Sequence, residues 1–160
     1  MNLDGLHLRA ISESEYARFF ERSHREYAEE IARNARVSME QALDKSTNDF
    51  AKLLPDGRAT VDQHIFVIVD DADEVIGELW LGLSEKIDGR EAFGFDFWVE
   101  PTLRDQGIGR RAMELAAAQA RQLGANRLAL SVFGGNPRAR YLYESFGFTT
   151  TSTNMAMPLD

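Results

Sequence analysis

The run EAFGFDFWV (91–99) is apolar and aromatic in the manner of a strand, and it ends abruptly. Pro101 cannot donate to a sheet ladder, and it pushes Glu100 toward an extended geometry. Beyond TLRDQG (102–107) the hydrophobic period becomes helical. Ile108, Ala112, Leu115 and Leu123 share one face, Arg110, Arg111, Glu114 and Arg121 lie mostly off it, and Gly124 is placed to stop the helix. RLALSVF (127–133) is again strand-like. A strand, a helix and a strand in this order imply a right-handed crossover and a parallel pair of strands. NPRARYLYESFG (136–147) adds a short helix closed by Gly147, and FTTTST and NMAMPL finish the chain as strands.

Upstream the signals belong to an antiparallel arrangement. LHLRAI (6–11) alternates as a short first strand. Ser12 with Glu15 has capping-box spacing, and Tyr16, Phe20, Tyr27 and Ile31 follow at helical intervals. Ser38 with Gln41 repeats the start signal for a helix carrying Leu43, Phe50 and Leu54 and stopped by PDG (55–57). HIFVIVD (64–70) and VIGELWLGL (75–83), joined by DADE (71–74), predict a hairpin. The fold class is therefore α/β (α+β), with a mixed, mostly antiparallel sheet. No linker or internal repeat stands out, so residues 1–160 read as one domain.

Composition narrows the functional classes. The chain has no cysteine, which removes disulfides, thiolate zinc sites and a covalent thiol intermediate. His7, His24 and His64 are scattered without ligand spacing, so no metal is expected. A net charge of −8 argues against nucleic acid as the main partner. That charge is uneven: residues 1–100 hold 22 acids and 11 bases, residues 101–160 hold 4 acids and 7 bases. An acidic first part and a basic second part could hold a cationic substrate and an anionic ligand respectively; a solvated acidic helix surface explains the first part equally well. No apolar run approaches the roughly 20 residues that span a bilayer, so no membrane association is expected. The N-terminus MNLDGLHLRAISESE lacks a secretory pattern, and a cytoplasmic location is expected.

The pair Gly107 and Gly109 follows a strand and opens a helix, where free backbone N–H groups and the helix dipole favour an anion. Arg104, Arg110 and Arg111 add local positive charge. GIGRRA (107–112) also satisfies a dinucleotide-binding G-x-G-x-x-A, but EPTLRDQ intervenes before it, and ANRLALSVFGG (125–135) lacks the acid such a site places at the end of the next strand. A Walker loop fails because no Lys-Ser or Lys-Thr follows the glycines. The pattern V-x-P-x-x-R-x-x-G-x-G, filled by Val99, Pro101, Arg104, Gly107 and Gly109, resembles the acyl-CoA-binding motif of the GNAT superfamily of N-acyltransferases. Asn136, Ala139, Tyr143, Gly147 and Phe148 match a second motif of that family, N-x-x-A-x-x-x-Y-x-x-x-G-F.

The resemblance implies a GNAT-like sheet whose parallel strands splay apart, helices on both faces, and acetyl-CoA as co-substrate. It implies that backbone groups of Phe97 and Val99, flanking Trp98, bond the pantetheine. Backbone amides of Arg104, Asp105, Gln106, Gly107, Ile108, Gly109 and Arg110 would hold the pyrophosphate, with a side-chain contact from Arg104. Asn136 would approach the reactive end of the cofactor, cap the helix at Pro137, or both; Arg140 joins the cofactor-binding set. Tyr143 matches the general acid that protonates the departing thiolate, with Tyr141 a weaker candidate and a core aromatic the alternative.

An ammonium acceptor must lose a proton before attack. Asp96 and Glu78 are acids inside apolar runs and are candidate bases; buried acids also serve structural pairs. Strict alternation places Asp96 opposite Phe93, Phe95 and Phe97. Glu100 is adjacent. Without cysteine, direct attack in a ternary complex is expected. Glu26, Glu29 and Glu30 point to a cationic acceptor, such as a polyamine or an aminoglycoside, or only solvate a helix face. The expected partner is a small-molecule or peptide amine, the expected assembly a monomer or homodimer. The alternative function is a non-catalytic acyl-CoA-binding or sensing module.

Overall fold

Both serine-led helix starts form as their spacing requires. In this computed structural model, which describes residues 1–159, Ser12 Oγ accepts from the Glu15 amide at 3.3 Å while Glu15 Oε2 accepts from the Ser12 amide at 2.8 Å. Ser38 and Gln41 make the same reciprocal pair at 3.1 and 2.9 Å. The helices that follow are α1 (Glu13–Asn34) and α2 (Met39–Leu53). Each box satisfies two amides that the first turn otherwise leaves bare.

Five strands form one sheet: β1 (His7–Ala10), β2 (Gln63–Val69), β3 (Val75–Lys86), β4 (Gly89–Val99) and β5 (Arg127–Leu130), in that spatial order. β1 to β4 pair antiparallel, and β4 with β5 parallel. α3 (Ile108–Gln122) makes the crossover between the parallel strands, and α4 (Pro137–Phe146) follows β5.

The central strand β3 is buried on both faces. Towards α1 and α2, Trp80 packs edge-on against Phe19 and Phe50 at ring separations of 6.0 and 5.5 Å, within a cluster that includes Ile65, Val67 and Val69. Its indole N–H donates to Gln63 Oε1 at 2.7 Å, so the one polar atom of the ring is satisfied. Towards α3, Leu79, Leu81 and Ala92 meet Met113, Ala116 and Ala120. The buried stripe of α3 runs through Ile108, Ala112, Met113, Ala116 and Ala120, while Leu115 is only half-buried at its edge. Alanines let the helix approach the sheet closely, which turns the stripe away from the leucines that mark it in the sequence.

Two expectations are corrected. The alternation along β4 breaks at a bulge: Trp80 pairs with Asp96 but Leu81 pairs with Gly94, leaving Phe95 as an extra residue. Phe95 stacks on Trp80 at 4.7 Å and lies 4.8 Å from Phe93, so these rings share the α1 side with Asp96. Only Phe97, paired with Leu79, packs on the α3 side. The second correction concerns the C-terminus. β5 ends at Leu130 rather than Phe133, and residues 149–159 lie in no strand and are exposed. Strand propensity is realised only where a ladder partner and a covered face exist.

Candidate active site: an open strand edge between two helices

The ladder between β4 and β5 stops at Gly94–Leu130. From Phe95 to Val99, β4 keeps β3 on one side and has no strand on the other. The free edge ends at the turn into α3. There Gly107 adopts φ +82 and Asp105 φ +62, and no side chain caps the helix. The first intrahelical bond of this turn is Arg111 N–H to Gly107 C=O at 3.2 Å, so the amides before it face outward, where an anion is favoured.

Gly107 and Gly109 are glycines for different reasons. At Gly107 the left-handed backbone disfavours any L side chain, and a Cβ would stand 3.3 Å from Leu3 Cδ1. Gly109 is helical, and a Cβ there would meet only Leu142 Cδ2 at an ordinary 3.7 Å. The chain's own packing does not demand glycine at 109; a ligand lying against the turn would.

Of the nearby arginines, Arg104 donates from Nε to the Val99 carbonyl at 3.0 Å, tying the turn to the end of β4. Arg110 lies over the Phe146 ring at 5.8 Å. Arg111 is held by the Leu3 carbonyl and Glu114, and the Asp105 carboxylate by Arg138. Arg140 is engaged by Glu144 at 2.7 Å, with Thr150 Oγ1 at 3.5 Å. Gln106 is exposed beside them.

α4 is brought to the same region by packing, Tyr143 and Phe146 lying with Phe97 against the cluster of Leu81, Ala92 and Met113. Asn136 Oδ1 accepts from the Ala139 amide at 3.2 Å, so the capping role of Asn136 is present. Tyr143 is half-buried and lies edge-on to Phe148 at 5.7 Å. Burial pushes its phenol above the ordinary value, and the charges of Asp96 and Glu30 add to the rise. A phenol held above its usual range stays protonated at neutral pH. Tyr141 is 76% exposed and lies away from this site.

Sequence reasoning missed Arg22, although it organises the α1 side. Its guanidinium donates to Glu78 Oε2 from Nε at 3.0 Å and from Nη2 at 2.5 Å, to Asp96 Oδ2 from Nη2 at 2.7 Å, and to Glu26 Oε2 from Nη1 at 2.9 Å. The same group lies 4.6 Å over the Trp98 ring, so the Trp98 side chain faces α1 rather than the open edge. One cation thus serves three carboxylates. Burial pushes the Glu78 carboxyl above its usual range, against the pull of Arg22. Glu26 is likewise raised by burial, opposed by Arg22, with the Asp96 charge adding to the rise and Arg104 opposing it more weakly. The signal for Arg22 was available: two acids in adjacent apolar strands need a cation, and Arg22 sits three residues after Phe19 at the border of the apolar stripe of α1. Glu100 stays outside this cluster; its amide donates to the Ile76 carbonyl at 2.8 Å.

Residues 24–148 match the profile described as the Acetyltransferase (GNAT) family. The chain belongs to that family. An uncharacterized N-acetyltransferase of Bacillus subtilis (strain 168), YdgE, is 30% identical over 152 residues, which cover 95% of this chain and 97% of YdgE. The crystal structure of YycN from Bacillus subtilis is 29% identical with a TM-score of 0.90, covering 96% of this chain and 98% of that one. A Pyrococcus furiosus structure at 22% identity and TM-score 0.71 shares the fold over 96% of this chain and 100% of its own. The mixed sheet with a parallel pair at one end is thus the GNAT sheet, and the open edge of β4 lies where that family's fold splays. Among the described residues, no helix is long and apolar enough to cross a membrane, and no group of three or more His, Cys, Asp or Glu side chains could hold a metal ion.

Proposed function

We propose that this GNAT protein transfers an acetyl group from acetyl-CoA to a primary amine by direct attack in a ternary complex. The observation that carries the reading is the unpaired edge of β4 from Phe95 to Val99, which leads to the uncapped N-terminus of α3 and shares, through Phe97, a packed cluster with Tyr143. Acetyl-CoA supplies an activated acyl carbon and a thiolate leaving group. The backbone of Phe97 and Val99 would take the pantetheine as a further strand would be taken, and the amides from Arg104 to Arg110 would take the pyrophosphate. Arg110 adds positive charge at the turn.

On the acceptor side, Asp96 stands beside the bulge in β4 and Arg22 links it to Glu78 on β3. Glu78 is the better matched base, because burial brings its proton affinity closer to that of the amine it must relieve. The carboxylate takes one proton from the ammonium before attack; as the C–N bond forms and the C–S bond breaks, the phenolic proton of Tyr143 passes to the thiolate, and the second proton shed by the acylated nitrogen restores the phenol through solvent. Glu26 and Glu30, both raised by burial, flank this side and favour a cationic small-molecule or peptide amine. The absence of a membrane-crossing helix among the described residues is consistent with a cytoplasmic setting.

The test is thiol release from acetyl-CoA across a panel of amines. Tyr143→Phe is expected to lower kcat by about 10²-fold or more while changing CoA affinity by less than about threefold. Equal loss of both would remove Tyr143 from the acid role. A second reading, a non-catalytic acyl-CoA sensor, is favoured by one observation: Arg22 already engages both candidate bases. Tight CoA binding by calorimetry with no transfer to any amine would select it.

A further inference from the structure

Two aromatic rings on the α1 side of β4 lie outside the packing that α1 and α2 provide. The cluster beneath those helices takes in Phe19, Phe50 and Trp80 but neither Phe93 nor Phe95. Phe95 is 37% exposed although it stacks on Trp80 at 4.7 Å. Phe93 is half-buried, with its ring 4.8 Å from that of Phe95. Two adjoining rings open to water on one face make an apolar surface that the core does not use.

The residues around these rings keep the surface open. Phe93 pairs with Gly82 on β3 and with Ala129 on β5, so its neighbours across both ladders are the two smallest residues. At Gly82 a Cβ would stand 2.5 Å from Phe95 Cε2, so the Phe95 ring rests over the glycine. The bulge is what turns it there, because a regular ladder would send Phe95 to the α3 side. An aromatic ring and the Asp96 carboxylate are thereby consecutive in the chain and on one face.

That carboxylate has capacity left. Arg22 reaches Asp96 through Oδ2, and no hydrogen bond among the described residues reaches Oδ1. Among those residues no buried side-chain oxygen is without a partner, so Oδ1 is open to solvent. Arg22 also answers Glu26 and Glu78, and one cation against three carboxylates favours the arrival of a second. Asp96 and Phe93 face Trp80 and Gly82, two residues apart on β3 and so about 7 Å along the sheet. That separation suits an amine linked to a ring by a short carbon chain.

We propose that Phe93 and Phe95 are the specificity surface for the acceptor, which is a primary amine joined by a short chain to an aromatic ring. The ammonium sits against Asp96 Oδ1, beside the base Glu78, and the ring lies on Phe93 and Phe95. This rests on the acetyltransferase reading and narrows its acceptor. An aromatic ring gains stacking or edge contacts and buries apolar area there. A polyamine or an aminoglycoside would instead lay polar groups on the same rings and strip them of water.

Trp80 and Trp98 are the chain's only tryptophans and both border this face, so their fluorescence reports amine binding without turnover. Phenylethylamine, ethylamine and diaminobutane are titrated into the full-length protein, with and without CoA. Phenylethylamine is expected to bind at least about tenfold more tightly than either of the others, the factor that burying a phenyl ring supplies. Phe93→Ser removes part of the surface, and Ala129→Phe fills the space beside it. Each is expected to raise the phenylethylamine dissociation constant at least about fivefold and to leave that of ethylamine within about twofold. Equal affinity for phenylethylamine and ethylamine overturns the proposal. So does tighter binding of diaminobutane, or a preference for phenylethylamine that neither variant reduces. Ring preference without thiol release from acetyl-CoA would fault the acetyltransferase reading alone; thiol release without ring preference would fault this proposal alone.

Discussion

The two sides of β4 are built in opposite ways. Towards α1, aromatic rings fill the space around Trp80 and three carboxylates are gathered on one guanidinium. Towards α4, no strand pairs with the edge, the neighbouring helix has no fully buried residue, and the first amides of α3 face outward. The first side holds charge in place within packed structure. The second leaves backbone groups unsatisfied, which is stable only where water or a ligand completes them. The proposed bisubstrate reaction would use both: a fixed acceptor side that manages protons, and a donor side that presents unpaired backbone to an extended cofactor.

Breaking the packed side should cost the most. Trp80→Ala is expected to lower unfolding stability by about 3–5 kcal/mol, measured by urea titration, because the ring it removes is 2% exposed and bordered by Phe19, Phe50 and Phe95. Next, Arg22→Gln leaves Glu78 and Asp96 facing each other without a cation. It should cost about 2–3 kcal/mol, less than for a fully buried pair because Arg22 retains 17% exposure, and it should displace the pH profile of kcat. Arg22→Lys, which restores the charge without the fork, should recover most of the stability and only part of kcat. An unchanged pH profile in Arg22→Gln would divorce the carboxylates from catalysis.

The open side is tested by the two glycines. Gly107→Ala should destabilise the fold by about 1–2 kcal/mol, because an L residue is placed at φ +82. Gly109→Ala should instead stabilise by about 0.5–1 kcal/mol, as expected for alanine in a helix, and yet weaken CoA binding by calorimetry. Stabilisation with unaltered CoA affinity would move the pyrophosphate away from this turn.

A further effect lies far from both sides. Hydrogen bonds from Arg9, aided by the Ser12 amide and opposed by burial, bring the Glu15 carboxyl from its ordinary 4.5 to about 2. A lowered carboxyl contributes stability that is complete above the unfolded value and lost as pH falls through the folded one. The urea midpoints of the parent and Glu15→Gln should therefore differ most above about pH 4.5 and converge near pH 2.

How much of this was legible depended on range along the chain. Ser12 with Glu15, Ser38 with Gln41, the hairpin through residues 70–74 and the glycine stops at Gly124 and Gly147 are contacts within a few residues, and each forms where the sequence places it. The turn residues from Val99 to Gly109 and the helix of Asn136 and Tyr143 were legible for the same reason, since their spacing is itself the motif. Arg22 was harder to find: two acids in apolar strands called for a cation, but its partners lie 56 and 74 residues away, so spacing along the chain does not say which cation meets them. The face of Phe95 was not legible, because a single extra residue in a ladder reverses every side chain beyond it.

Local order, the sheet's mixed character and the glycine turn that opens α3 were therefore set by the sequence alone, through capping, period and steric rules that act over one or two turns. Tertiary structure alone decided that one arginine governs both candidate bases, that Asp96 shares a face with Phe95, and that the C-terminal alternation finds no strand partner among the described residues. Those outcomes depend on which distant groups meet, and on whether a strand finds an edge, and no local pattern encodes either.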